Sequence, residues 1–137
     1  MADVDAALRE LAGLRAAGLC EYCRISEQFT LAKHEIDHVI AAKHGGQTVA
    51  ENLALCCVIC NRFKGSDIAS IDLETGQLAP LFNPRLDRWD HHFQVQDGEI
   101  LALTSAGRVT VRLLRMNGSA RIRERQLLQR LPGFADC

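Results

Sequence analysis

Residues 57–65 read CVICNRFKG. Two thiols two residues apart form a turn from which both sulfurs reach one ion, and the residues that follow continue as a helix. The same spacing occurs upstream in LCEYCR, residues 19–24, at Cys20 and Cys23. Two such knuckles complete a tetrahedral set, Cys20, Cys23, Cys57 and Cys60, around Zn2+ at Zn–S distances of ~2.3 Å. With four thiolates the ion is structural and leaves no position for substrate. Cys56 competes with Cys57, but only Cys57 keeps the two-residue gap to Cys60, so Cys56 reads as a packed thiol and Cys137 has no assigned role. The alternative, four small buried hydrophobes, leaves the doubled spacing without a reason. The two pairs are separated by 33 residues, more than a zinc ribbon uses, so an insert lies between them.

That insert contains HEIDHVIAAKHGG, residues 34–46, with three histidines, two acids and a glycine pair. Folding alone gives no strong reason to set Asp37 against His38. In order, the chain carries Cys20-x-x-Cys23, Asp37-His38-Val39-Ile40, Gly45-Gly46, Glu51-Asn52-Leu53 and Cys57-x-x-Cys60-Asn61-x-x-Lys64-Gly65. This series resembles the HNH endonuclease family, whose fold is the ββα-metal or His-Me finger. The resemblance covers residues 20 to 65 and rests on all the elements in sequence rather than on any one.

The resemblance implies metal-dependent hydrolysis of DNA phosphodiester bonds, leaving 5′-phosphate and 3′-hydroxyl ends. His38 is then the general base; imidazole titrates near neutral pH, so its free base can take a proton from water. Asp37 and Asn61 become oxygen ligands of a catalytic Mg2+ or Mn2+, hard ions that prefer oxygen. Asn52 holds the base through hydrogen bonds to the facing backbone. Lys64, three residues after Asn61 and on the same helix face, and Arg62 are positioned for phosphate, with help from the helix N-terminus. Two positions depart from the family pattern. Asn61 stands where histidine is most common, which bears on metal preference, and Ala41 stands where proline is usual. Neighbours on a strand face opposite ways, so Asp37 and His38 serve one site only if the backbone bulges or the strand ends; irregular backbone is expected at 37–38.

Outside the insert the expected elements are a helix over 4–17, capped by Asp3, stopped by Gly18 and burying Val4, Ala7, Leu8, Leu11 and Leu14. Two short strands are expected in FTLAKHEIDHVIA, a partly helical VAENLAL, and a helix through CVICNRFKGSDIASI. A hairpin should turn at Thr75-Gly76 and a helical turn should form near LDRWDHH. FQVQDGEILAL and GRVTVRLL should make a small antiparallel sheet around Asp97-Gly98. A last helix, GSARIRERQLLQRLP, should bury Leu127, Leu128 and Leu131 and end at Pro132. The class is α+β: one HNH nuclease domain over 1–137, with a motif core at 20–65 and an extension at 71–137 ending in a basic helix.

Composition bounds the function. Hydrophobic residues are 47% and charged residues 24% of 137, a globular balance with no run long enough to span a membrane. The acidic start MADVDAALRE lacks a secretory pattern, so the protein reads as soluble and cytoplasmic, where six cysteines stay reduced. The formal net charge is −1, but residues 105–131 hold seven arginines against one acid. Arg108, Arg112, Arg115, Arg121, Arg123 and Arg125 therefore present a basic surface for phosphate contacts, with Arg121 and Arg125 the leading nucleic-acid residues; the plainer reading is a solvated helix whose arginines pair with nearby acids. His34, His44 and Glu35 read as exposed, and His91 and His92 as edge-of-core residues. DNA is the expected partner, as monomer or homodimer. A non-catalytic zinc-stabilised DNA-binding module and a zinc-dependent protein-interaction domain remain alternatives.

Overall fold

The computed structural model describes residues 4–131. The expectations for Asp3, Pro132 and Cys137 lie outside them. The first knuckle is a tight turn in which Cys20 N–H donates to Ile25 C=O at 2.8 Å and Arg24 N–H to Cys20 C=O at 2.9 Å. Strand β1 (Glu35–His38) pairs antiparallel with β2 (Leu53–Cys56), and helix α2 (Val58–Lys64) follows at once. The Cys57 thiol caps α2, and Gly65 ends it at φ +51°. Glu21 docks the first knuckle on β2 twice over: its N–H donates to Leu55 C=O, and its carboxylate accepts from Leu55 N–H, both at 2.9 Å. All four residues of β2 are buried, because α1 (Ala6–Arg15) covers one side and the knuckles the other.

Helix α1 differs from its expected stripe. Asp5 caps it, accepting from Leu8 N–H at 2.8 Å. Its buried residue is Ala12, while Leu11 and Leu14 are 45% and 73% exposed. A small side chain lets the helix approach β2 closely, and Arg15 secures it by donating to the carbonyls of Ala50 and Leu53. The helix ends at Arg15, two residues short of the expected span; Ala17 at φ +53° and Gly18 at φ +75° then turn the chain, with Gly18 N–H donating to Gly13 C=O at 3.1 Å.

Only one strand forms in FTLAKHEIDHVIA. Ser26 instead caps a 3-10 turn at Glu27–Phe29. Nor is β1 irregular at 37–38: the register Asp37↔Ala54 and His38↔Leu53 is unbroken, although the strand ends at His38. The regularity follows from what Asp37 contacts below β1, described with the site. VAENLAL divides into a 3-10 turn at Ala50–Asn52 and β2.

In the extension, β3 (Ala69–Ile71) and β4 (Leu78–Pro80) form the hairpin expected around Thr75-Gly76, with Gly76 at φ +73°. Residues 66–71 leave the helix that the pattern extended through them. Helix α3 (Trp89–His92) leads into β5 (Phe93–Gln96), and β6 (Glu99–Ala102) returns through Asp97-Gly98, both at positive φ as a two-residue hairpin turn requires. GRVTVRLL is helical: α4 spans Ser105–Leu113. Its valines alternate like a strand, but Thr104 caps a helix by accepting from Gly107 N–H at 3.0 Å. Gly107, Thr110 and Leu114 then fall on one buried face. Buried Thr110 completes that face, donating to Ala106 C=O and accepting from Phe82 N–H. Helix α5 (Ser119–Leu128) packs through Leu128, leaving Leu127 and Leu131 exposed.

An aromatic cluster joins the extension to the first knuckle. Tyr22 and Phe82 meet edge to face at 6.3 Å, Phe82 and Phe93 at 5.3 Å, and Trp89 and Phe93 lie 5.1 Å apart. Trp89 Nε1–H donates to Tyr22 C=O at 2.8 Å. Among the described residues the architecture is thus mixed helix with three two-stranded antiparallel sheets. Among the described residues, no helix is long and apolar enough to cross a membrane.

Gly46 is a glycine for steric reasons: a Cβ there would lie 1.6 Å from Ile40 O. Gly13, within α1, has nothing within 4 Å of its Cβ position. Gly46→Ala should destabilise by about 1–3 kcal/mol, while Gly13→Ala should stabilise by up to about 1 kcal/mol. Thermal unfolding followed by circular dichroism checks both, and indistinguishable melting of the two variants would reject the packing read at Gly46.

Candidate metal centre and active site

The four knuckle cysteines are buried, with all their sulfurs within 4.8 Å of one another. Cys23 Sγ and Cys57 Sγ lie 3.7 Å apart. Each knuckle also aims a backbone donor at its first sulfur: Cys23 N–H to Cys20 Sγ and Cys60 N–H to Cys57 Sγ, both at 3.4 Å. The N-terminus of α2 therefore serves a sulfur rather than a phosphate. Burial pushes the Cys20 thiol up, while hydrogen bonds from Cys20, Cys23 and Cys60 pull Cys57 far down. Four thiols converging this closely form a set in which a cation can take the place of their protons. The donor chemistry and convergence fit Zn2+. Cys56 is buried but stands outside the set.

Arg121 closes this centre. Its guanidinium donates to Cys60 Sγ at 3.2 Å, Cys57 Sγ at 3.7 Å and Leu114 C=O at 3.0 Å. Burial works against its charge, but the thiolates of Cys60 and Cys23 hold it above its ordinary value. The expected DNA-facing arginine instead neutralises sulfur. Arg125 is buried too, donating to Gly98 C=O at 2.6 Å and to the carbonyl of Met116, so it ties α5 to the β5–β6 turn. Most of the expected basic stripe turns inward in the same way. Arg108 pairs with Asp72 at 2.8 Å and with Glu74, Arg112 donates to Ile71 C=O, and Arg115 lies 4.6 Å over the Phe63 ring. Arg123 and Arg62 are exposed.

A cleft of about 310 Å³ opens between the end of β1, the turn at Ala41–Ala42 and the end of α2, with His38, Asp37 and Asn61 among its lining residues. His38 and Asp37 leave β1 on opposite faces, as an unbroken register dictates. His38 Nε2 is hydrogen-bonded to Thr48 Oγ1 at 2.9 Å. Sequence reasoning did not single out Thr48; its signal is position, two residues beyond the glycine pair that returns the chain toward β1. Asn52 mimics a strand residue: its amide donates to Ile40 C=O and Gln47 C=O and accepts from Ile40 N–H, each at 2.9 Å. The loop that carries His38 and Thr48 is thus closed by one side chain.

Asp37 points toward α2 and is only 4% exposed. Its carboxylate accepts from Tyr22 O–H at 2.8 Å and from Lys64 Nζ at 3.2 Å. Burial pushes the carboxyl up, against the Lys64 charge and the tyrosine hydrogen bond, which pull it down. Lys64, expected at a phosphate, is buried. Asn61 lies inside α2 and donates through Nδ2 to Glu35 Oε1 at 2.8 Å. Asp37 and Asn61 border one cleft, yet both Asp37 oxygens are engaged and the Asn61 amide is held by Glu35. As they stand, these side chains do not present an open oxygen set for Mg2+ or Mn2+. Of the remaining histidines, His34 is buried with Nε2 against Ile25 C=O, His44 and His91 are exposed, and His92 is bonded to Thr104 and packed on Phe82.

Residues 20–67 match the model of the HNH endonuclease family. This stretch, with both knuckles, β1, β2 and α2, is similar to an HNH endonuclease domain. No curated protein and no solved structure matches the chain. An HNH domain with a four-cysteine centre suited to zinc points to nuclease or DNA-binding function.

If Arg121 balances the thiolate charge, Arg121→Ala should release zinc to a chromogenic chelator several-fold faster than wild type, and Arg121→Lys should fall between. Equal release by all three proteins would remove the arginine from the centre's stability.

Proposed function

We propose that this chain is an HNH endonuclease that hydrolyses DNA phosphodiester bonds with His38 as general base. The observation that carries the reading is the cleft inside the HNH-like stretch that His38 and Asn61 both line, with His38 engaged through one ring nitrogen by Thr48. With Nε2 so held, Nδ1 takes the proton from water, which attacks phosphorus and expels the 3′-oxygen. Asn52 acts on this base indirectly, by fixing the Ile40 and Gln47 backbone around it. Arg62, exposed on α2, supplies charge toward phosphate. The resemblance implies Mg2+ or Mn2+ on Asp37 and Asn61. Because the Asp37 carboxylate is engaged by Lys64 and Tyr22, no step is assigned to that ion.

In this reading the core is a ββα-metal finger, and residues 1–137 act as one nuclease domain, with the extension at 71–137 folded onto the motif core at 20–65. The Trp89–Tyr22 hydrogen bond and the Arg121–cysteine contacts support that unity. Free thiols arranged for a metal suit a reducing compartment, hence the cytoplasm. One active site of this kind suits nicking, with a double-strand cut requiring a homodimer or two events. The second reading, a zinc-stabilised DNA-binding module without catalysis, is favoured by one observation: Asp37 is buried and paired rather than open.

Plasmid nicking by zinc-loaded protein in Mg2+, in Mn2+ and in neither should reveal cleavage. His38→Ala should lower the rate on the order of 10²–10⁴-fold. Equal cleavage by His38→Ala would reject the base, and DNA binding with no cleavage under any condition would favour the second reading.

A further inference from the structure

Lys64 holds an unusual position for a lysine. It is 2% exposed, and lysines are almost never fully buried unless paired. Its Nζ lies 3.3 Å from Asp37 Oδ1, 3.2 Å from Asp37 Oδ2, 3.3 Å from the carbonyl oxygen of His38 and 3.1 Å from that of Val39. An ammonium has three N–H donors and no acceptor. Here it faces four oxygens, from one carboxylate and two successive carbonyls at the end of β1. Carboxylate and carbonyl oxygens are also what hard divalent cations take. The group filling this cage is the positive end of the protein's own side chain.

We propose that Lys64 and a divalent cation compete for this oxygen cage, so that Lys64 sets the metal concentration at which Asp37 becomes a ligand. With the ammonium in place, Asp37 is neutralised and its oxygens are occupied. The cation reaches Asp37 only after the Lys64 head group leaves. Tyr22 donates to Asp37 Oδ2 from the other side and can stay in either state. The ammonium is held by a flexible stem, whereas the carbonyls of His38 and Val39 belong to paired backbone, with Val39 N–H donating to Asn52 C=O at 2.9 Å. The lysine is therefore the part that yields. The inference rests on the HNH reading for the relevance of a cation at Asp37, but its test reads binding and not cleavage, so the two fail separately.

The test titrates Mn2+ into zinc-loaded protein without DNA, reading free Mn2+ by electron paramagnetic resonance. Lys64→Met keeps the length of the stem and removes the charge, leaving a buried carboxylate beside two carbonyls. This variant should bind one Mn2+ with a Kd at least tenfold below wild type, and the added site should vanish in Lys64→Met/Asp37→Asn. No tightening in Lys64→Met, or a gained site that survives Asp37→Asn, would overturn the proposal. Should Lys64→Met fail to fold, wild-type protein carries the test alone. Lys64 should resist acetylation relative to exposed Lys33 and Lys43, and saturating Mn2+ should raise its labelling, read by mass spectrometry. Labelling of Lys64 unchanged by Mn2+ would reject the competition.

Discussion

Four sulfurs drawn to within 4.8 Å of one another hold two distant turns of the chain together, and the rest of the fold is arranged on that junction. In a domain this small, apolar area alone leaves little margin, and a metal held by these sulfurs would add folding energy that a larger core would otherwise provide. The placement of the pairs matters as much as their number. Cys20 and Cys23 precede β1, and Cys57 begins α2, so joining them folds the β1–β2 hairpin against the helix. Glu21 and Leu55 lock the knuckle to the middle of β2. From the far end of the chain, Arg121 meets the same sulfurs, which makes the last helix depend on the first turns.

The second constraint is electrostatic. Asp37 sits where β1 faces α2, and water is nearly excluded there. A carboxylate in that position needs a partner, because the desolvation of an unpaired ion is large. Lys64 and Tyr22 meet that need, and their contacts hold Asp37 in a regular strand. A residue read as an exposed ligand is therefore part of the interior. Burial that protects the fold also closes the oxygen set, and the same few ångströms decide between a structural ion pair and a metal site.

What the sequence made legible was whatever depends on short spacing. Cys-x-x-Cys twice, Thr75-Gly76 and Asp97-Gly98 in hairpins, Gly18 after a helix and the run from Cys57 into α2 all express local geometry, and the structure contains them. The order from Cys20 to Gly65 also marked out the stretch that matches the HNH endonuclease model. Less legible was anything settled by partners far along the chain. GRVTVRLL has strand composition, but its N-cap at Thr104 and its packing against Phe82 impose a helix. Leu11 and Leu14 suggested a buried stripe, yet the surface that α1 meets admits Ala12 instead. Lys64 and Arg121 were assigned to phosphate because charge in sequence looks solvent-facing. Their partners, Asp37 and Cys60, stand 27 and 61 residues away.

The inward turn of the arginines changes the electrostatic argument for nucleic acid. Net charge is −1, and the seven arginines of residues 105–131 looked like its local exception. Arg108, Arg112, Arg115, Arg121 and Arg125 satisfy an acid, carbonyls, a ring or sulfurs of the protein itself, which leaves far less free charge for counterion release on DNA. A diffuse basic face is therefore a weak basis for affinity here. On the proposed reading, recognition relies more on the cleft and on the arginines that stay exposed, such as Arg62. Beside that cleft β1 separates two sets of contacts by its pleat: His38 with Thr48 on one face, Asp37 with Tyr22 and Lys64 on the other. Each face has its own supporting contacts. Lys64 links the two faces, because its ammonium also meets the His38 carbonyl at 3.3 Å, so a change that frees Asp37 by moving Lys64 also removes a contact from the backbone of His38.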